Sequence, residues 1–297
     1  MAIKKLIKYG AVIPSALSGN TTPENEFLLQ EIEYDEKGNV LVDSQFNSYN
    51  ELEERHTYLY SEKGALIEHV VEMPLDDVVE RFNYERNEDG LLTAVTKFYG
   101  EEAGERTTYS YNENNLPLTI VYFDAYGEKE MTEHYSYNDQ QEVVKKVVDH
   151  HADESQSKTQ QYEYNEKHLL MRYVVEGDGE KTVTEYSYNT HDLEEKCIQF
   201  NSTGRKLLEI TSEYDENLRL TRKATRGNYI RITTVRYDEQ GRIIEELLSD
   251  ENDFVISRNA FGYDDDGRVV EEVLYETDLT RAGRDTHMIM RYEYELL

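Results

Sequence analysis

The densest group of side chains able to do chemistry is Asp149-His150-His151, followed closely by Asp153 and Glu154. Two imidazoles among carboxylates have the right ligand types for zinc. They lie, however, in the polar stretch Asp149 to Lys158, which reads as a hairpin loop, where histidines beside acids are ordinarily solvated. The other histidines (His56, His69, His134, His168, His191 and His287) are scattered. No His-Glu-x-x-His helix and no Cys-x-x-Cys pair is present. Cys197, the only cysteine, falls on an expected strand with no histidine placed to activate it, so it reads as a buried inert thiol. Glu245-Glu246 and Glu271-Glu272 are adjacent residues, and adjacent strand residues face opposite sides of a sheet. They cannot form an acid/base dyad on their own. There is no phosphate loop and no Gly-x-Ser-x-Gly elbow. The expectation is a protein without catalytic, cofactor-binding or metal-binding residues.

The chain has 297 residues, with 62 acidic against 32 basic side chains and a formal charge of -30. Such a surface repels phosphates, which argues against nucleic acid and favours a basic partner or plain solubility. The 25 tyrosines and regularly spaced aliphatics argue against disorder. No run approaches the length of a transmembrane helix. A single cysteine excludes an internal disulfide and fits a reducing compartment. Export is the other reading: Lys4, Lys5 and Lys8 precede a short apolar run, Tyr9 to Leu17, with Ala16-Leu17-Ser18 as a small-residue cleavage point.

The elements that position these residues follow from a repeat. Tyrosines recur at Tyr34, Tyr60, Tyr84, Tyr111, Tyr137, Tyr164, Tyr188, Tyr214, Tyr237 and Tyr263, mostly 23 to 27 residues apart, and Tyr294 closes the series. The longer last interval implies a loop insertion at Asp278 to Asp285. Asp or Asn usually follows the tyrosine and can hydrogen-bond the backbone two residues on. A glycine three residues later suits the left-handed end of a type I turn plus bulge. The turn glycines are Gly38, Gly64, Gly127, Gly204, Gly241 and Gly267. Asn115, His168 and Asp192 replace glycine elsewhere and tolerate positive φ. Glu88, Gln141 and Leu218 fit poorly and predict irregular turns. Phe46, Phe123 and Phe200 each open a second turn 12 residues after an anchor tyrosine.

Each period is therefore a hairpin, with turns alternating between two edges. Tyr-x-Tyr pairs, as at Tyr58/Tyr60 and Tyr135/Tyr137, show the period of two that places aromatics on one side of a strand. The expected fold is all-β: an antiparallel meander of about ten hairpins and about twenty strands, forming a curved or partly closed single-layer sheet. Residues 1–26 form an N-terminal capping or docking segment and 27–297 the array. The aromatic stripe runs through Tyr60, Tyr111, Tyr137, Tyr164, Tyr188, Tyr237 and Tyr263. Charged residues are expected on the other, watered side.

Tyr-Asp-x-x-Gly-Arg-[Ile/Val], as at Tyr237 and Tyr263, together with a glycine ten residues upstream of an anchor tyrosine (Gly127, Gly204 and Gly227 before Tyr137, Tyr214 and Tyr237), resembles the YD repeat of Rhs and related proteins. The resemblance covers about Phe27 to Leu297. It implies a long repeat β-sheet, which in large Rhs and toxin-complex proteins winds into a hollow shell around a toxin segment. This chain is much shorter, ends in another strand-like run ("MIMRYEYELL") and carries no recognisable self-cleavage segment, so no full enclosure is expected. The functional expectation is a non-enzymatic scaffold or protein-binding module associated with a toxin or secretion system, offering edge strands to a partner. The alternatives are an acidic inhibitor of a basic toxin and a cell-surface carbohydrate binder that stacks sugars on its tyrosines.

Overall fold

The computed structural model describes residues 2–13, 24–277 and 285–296. Among the described residues twenty-two strands, from β1 (Ile3–Val12) to β22 (Thr286–Leu296), form an antiparallel β-sheet. Among the described residues the only helical turn is a short 3-10 segment, Glu154–Gln156. The expected insertion at Asp278 to Asp285 and the cleavage point at Ala16 to Ser18 lie outside the described residues, apart from Asp285 itself. No helix among those residues is long and apolar enough to cross a membrane.

The chain divides into two compact units. One comprises Met1–Tyr58, Val71–Val78 and Ser212–Leu297. Its ladders run from β17 (Leu220–Arg226) strand by strand to β22, then through β1 to β2 (Glu24–Tyr34), β3 (Val40–Phe46) and β4 (Leu52–Tyr60). The other comprises Leu59–Val70 and Val79–Thr211 and holds a continuous antiparallel run from β6 (Val78–Arg86) to β16 (Lys206–Tyr214).

β1 corrects the expectation of a partly closed sheet. It pairs with β2 on one side, Leu6 opposite Ile32, and with β22 on the other, Leu6 opposite Tyr294. The first and last strands of the array are joined, so the sheet is closed through its N-terminal strand. The edges of β2 and β22 expected to receive a partner's strand are already occupied. An unpaired edge is a template for aggregation, and pairing both sides of β1 removes it.

Turn chemistry explains why the chain reverses where it does. Asp35 Oδ1 accepts the N–H groups of Lys37 and Asn39, both at 2.8 Å. Asp238 does the same for Gln240 and Arg242, and Asn165 for Lys167 and Leu169. Donation by two or more N–H groups holds such carboxyls low: Asp215 lies below its ordinary range chiefly because of the Arg219 backbone N–H. The turn glycines Gly38, Gly64, Gly127, Gly204, Gly241 and Gly267 have φ between +78 and +84°. At these values glycine avoids the clash between Cβ and carbonyl that other residues meet.

Two turns expected to be irregular are regular. Gln141 (φ 65°) and Leu218 (φ 63°) take the same left-handed conformation, and their N–H groups bond Asn138 and Asp215 as the glycines do in their own turns. The paired carboxamide or carboxylate imposes the turn even where the last residue disfavours it. After Tyr84 the turn starts two residues late. Asn87 takes the acid's role, Gly90 (φ 83°) ends the turn, and Arg86 holds the tyrosine's register position.

The core is thin. The most buried side chains are small, with Ala224, Ala94 and Ala11 at 0–2% exposure, and no large side chain among the described residues is fully buried. Ladder hydrogen bonds and side-chain rungs must therefore do much of what a hydrophobic core does elsewhere.

Two outcomes are expected. Leu218→Gly should raise stability by about 0.5–1 kcal/mol in urea unfolding, because the left-handed strain of leucine exceeds glycine's entropic penalty; a loss of stability contradicts this turn reading. Removing residues 1–13 should uncover two strand edges and produce aggregates visible by light scattering. A truncated protein that stays monodisperse with an unchanged unfolding midpoint contradicts the closing role of β1.

Candidate binding surfaces

The alternation that places the aromatic pairs is visible in β4, where Tyr58 and Tyr60 are half-buried and Thr57 and Leu59 exposed. Tyr111, Tyr137, Tyr164, Tyr188, Tyr237 and Tyr263 are likewise half-buried. The stripe tyrosines from Tyr111 onward share one contact: the hydroxyl donates to a backbone carbonyl at the start of the neighbouring strand. Tyr111 reaches Leu92 at 2.7 Å, Tyr137 reaches Pro117 at 2.6 Å and Tyr164 reaches Val143 at 3.0 Å. Tyr188 reaches Leu170, Tyr237 reaches Leu220 and Tyr263 reaches Ile243. Tyr294 repeats the contact with Val269. In each case the backbone ladder has stopped two residues short, as at Arg222 opposite Thr234, and the phenol clasps the open end of the hairpin.

The arginine of the Gly-Arg step has a double role. Arg242 Nε donates to Asp238 in its own turn at 2.6 Å, and its guanidinium lies 4.6 Å from the ring centre of Tyr263 in the next hairpin. Arg219 bridges Asp215 and Tyr237 in the same way, and Arg268 bridges Asp264 and Tyr294. Turn and tyrosine are thus tied across successive hairpins by a cation–π contact.

The aromatic side is not free of charge, which corrects the expectation that charges stay on the other side. Glu133, 8% exposed, accepts the Tyr135 hydroxyl at 2.6 Å and pairs with Lys146 at 2.7 Å, while Lys146 lies 5.2 Å from the Tyr135 ring centre. Glu272, Tyr292 and Lys8 repeat the arrangement. Sequence reading missed both triads. The signal was available, because Glu133 sits two residues before Tyr135 and two-residue spacing keeps it on the same side.

Of the residues first singled out for chemistry, Asp149, His150, His151 and Glu154 line one open pocket, while the others lie apart from it. His151 Nε2 lies 2.8 Å from Thr132 Oγ1, and Asp153 caps the short helical turn by accepting the Ser155 N–H. No group of three metal-capable side chains occurs among the described residues. Cys197 is 7% exposed on the strand Glu194–Asn201, opposite Tyr186. Glu245 is bound by Arg258 and Arg236, while Glu272 turns to Tyr292, so neither carboxylate pair acts as a unit.

Two surfaces offer exposed aromatic groups. At the edge opposite the tyrosine turns, the hairpin tip before β18 (Ile230–Tyr237) presents Tyr229 at 73% exposure, and the next tip, before β20 (Val255–Tyr263), presents Phe254 at 52%. Asp250, Glu251 and Asp253 surround Phe254 in sequence, and Tyr49 is 82% exposed at the same edge of this unit. In the other unit an open groove of about 640 Å³ lies beside Tyr126, Phe98 and Arg106.

No protein-family model matches the chain, and no curated protein matches it. Solved structures with a similar chain path include TcdB2-TccC3-Cdc42, at 12% identity and TM-score 0.35 over 93% of this chain and 18% of that one. The Photorhabdus luminescens Tc holotoxin pore matches at 11% identity and TM-score 0.35, over 97% of this chain and 18% of that one. A porin-like protein from Bacteroides uniformis matches at 13% identity and TM-score 0.33, over 99% and 98% of the two chains. The chain spans less than a fifth of the toxin-component chains it resembles. Likeness at this level carries no inference about activity.

The buried phenols give a pH prediction. Burial pushes Tyr162 and Tyr186 up to about 12, helped by neighbouring Tyr173 and Cys197 respectively. Burial and the Glu133 and Glu272 carboxylates also raise Tyr135 and Tyr292. Unfolded tyrosine ionises near pH ~10. The stability these groups contribute is therefore fully present below about pH 10 and lost as pH rises through about 12. Phenolate absorbance in the folded protein should lag that of the urea-unfolded chain; coincident titrations contradict the prediction.

Proposed function

We propose that this protein is a non-enzymatic β-repeat binding module that holds a basic partner protein against the hairpin tips bearing Tyr229 and Phe254. The observation that carries this reading is the exposure of Tyr229 and Phe254, the latter on a pinned turn, in a chain of charge -30. The Asp250 side chain accepts the N–H groups of Asn252 and Phe254, so the tip is held in place before any partner arrives. Exposed aromatics on a fixed backbone are the groups that dominate binding energy at interfaces. Asp250, Glu251 and Asp253 around Phe254 favour approach of a positively charged surface, while Tyr229 is flanked by Arg226 and Arg231. Neutralisation of a basic toxin is one form this role takes; nothing at the tips distinguishes it from binding another basic protein. The half-buried stripe, its hydroxyls tied to backbone carbonyls, is poorly suited to stacking sugars.

The test compares native protein with a Tyr229→Ser, Phe254→Ser double variant as bait, at about 0.15 M and about 0.5 M salt. Both exposed positions can be changed without touching the ladder. A basic partner retained by the native bait, released at high salt and lost by the variant supports the proposal. Equal retention by both baits, or partners indifferent to salt, contradicts it.

A further inference from the structure

We propose that the groove beside β6, β7 (Leu92–Tyr99), β8 (Glu102–Tyr111) and β9 (Pro117–Phe123) binds a neutral oligosaccharide. This is independent of the hairpin-tip reading, and every residue involved belongs to the other unit.

The register builds the groove floor. Asn83 pairs with Thr96, Thr96 with Arg106, and Arg106 with Phe123, a rung across four adjacent strands. Tyr84 adjoins Asn83 and Tyr109 lies three residues from Arg106, odd offsets that put the rung on the opposite side from those tyrosines. A bulge at Gly104 and Glu105 breaks the β7–β8 register, and bulges re-aim side chains at such places.

The chemistry on this floor is that of a diol binder. Arg106 and Glu85 form a two-point fork, Nη1 to Oε1 at 2.7 Å and Nη2 to Oε2 at 3.0 Å, and Nη1 also meets Thr96 Oγ1 at 2.5 Å. The fork cancels its own charge and half of it remains exposed, at 39% for Arg106 and 52% for Glu85. Guanidinium donors and carboxylate lone pairs are thereby fixed side by side, the arrangement that adjacent sugar hydroxyls, each both donor and acceptor, can satisfy together. Asn83 lines the same groove, and its amide oxygen is buried with no hydrogen-bond partner. A ligand hydroxyl reaching it supplies the missing donor.

The apolar half of the recognition comes from aromatic rings. Phe98 and Phe123 line the groove, and Tyr126 rises beside them at 92% exposure. Its turn needs only Asp124, which accepts the Tyr126 and Glu128 N–H groups, and Gly127 at φ 81°. The Tyr126 ring makes no contribution to that fold, yet its backbone is pinned. An amphipathic ring held rigid at a groove mouth suits the C–H face of a pyranose. The groove's 640 Å³ falls within the size range of small-molecule sites.

The experiment titrates the full chain with maltotriose, cellotriose, laminaritriose and N,N′,N″-triacetylchitotriose, read by saturation-transfer NMR and by tyrosine fluorescence. Saturable binding of at least one, weakened roughly fivefold to tenfold by Tyr126→Ala and also by Glu85→Gln, is expected. Tyr126→Ala should leave the urea midpoint unchanged, and Tyr229→Ser should leave sugar binding unchanged. The proposal is overturned if none of the four binds saturably, or if binding survives Tyr126→Ala undiminished. Loss of the protein partner in the Tyr229→Ser, Phe254→Ser variant with sugar binding intact separates the two sites.

Discussion

The phenol-to-carbonyl clasp is the contact on which the register of this sheet depends. Where two strands part to enter different turns, a backbone carbonyl loses its ladder partner, and an anchor tyrosine supplies one, as Tyr263 does for Ile243 at 2.6 Å. A net contribution of about 1 kcal/mol for each such bond is ordinary. Its repetition is what matters: it fixes how far each hairpin extends, and the arginine stacked on the ring transmits that position from the preceding turn. At Tyr237, Tyr263 and Tyr294, Asp, Arg, Tyr and carbonyl thus make one linked unit.

This reliance on rungs follows from the absence of a deep core. With small residues in the most buried places, the covered side can hold charges that an oily interior would reject. Lys146, Glu133 and Tyr135 succeed there because each polar group meets another, and Lys8, Glu272 and Tyr292 repeat the solution in the other unit.

Much of the architecture was legible in the residues. The Tyr-Asp-x-x-Gly spacing located the turns because side-chain acceptors act within four residues, a range any sequence displays. The same locality explains the misjudged Leu218 and Gln141: the preceding Asp215 and Asn138 outweighed their low tolerance of positive φ. Closure through β1 was not legible, since Lys5 opposite Glu295 is a pairing between the two extremes of the sequence that no local pattern records. The groove was hidden for a related reason. Asn83, Thr96, Arg106 and Phe123 are dispersed in sequence and meet only through the register of four strands. Tyr126 was read as part of a turn signal, and nothing in its neighbours announced how far its ring stands out.

The position of β1 bears on how the chain reaches its native state. Hairpins joined by short turns can zip as they leave the ribosome, each needing only its neighbour. The strand Ile3–Val12 finds one partner early but must wait for Thr286–Leu296 before its second flank is satisfied. Until that pairing forms, one ribbon of backbone amides stays unsatisfied. Chaperone demand should concentrate in that interval rather than being spread evenly over the nascent array.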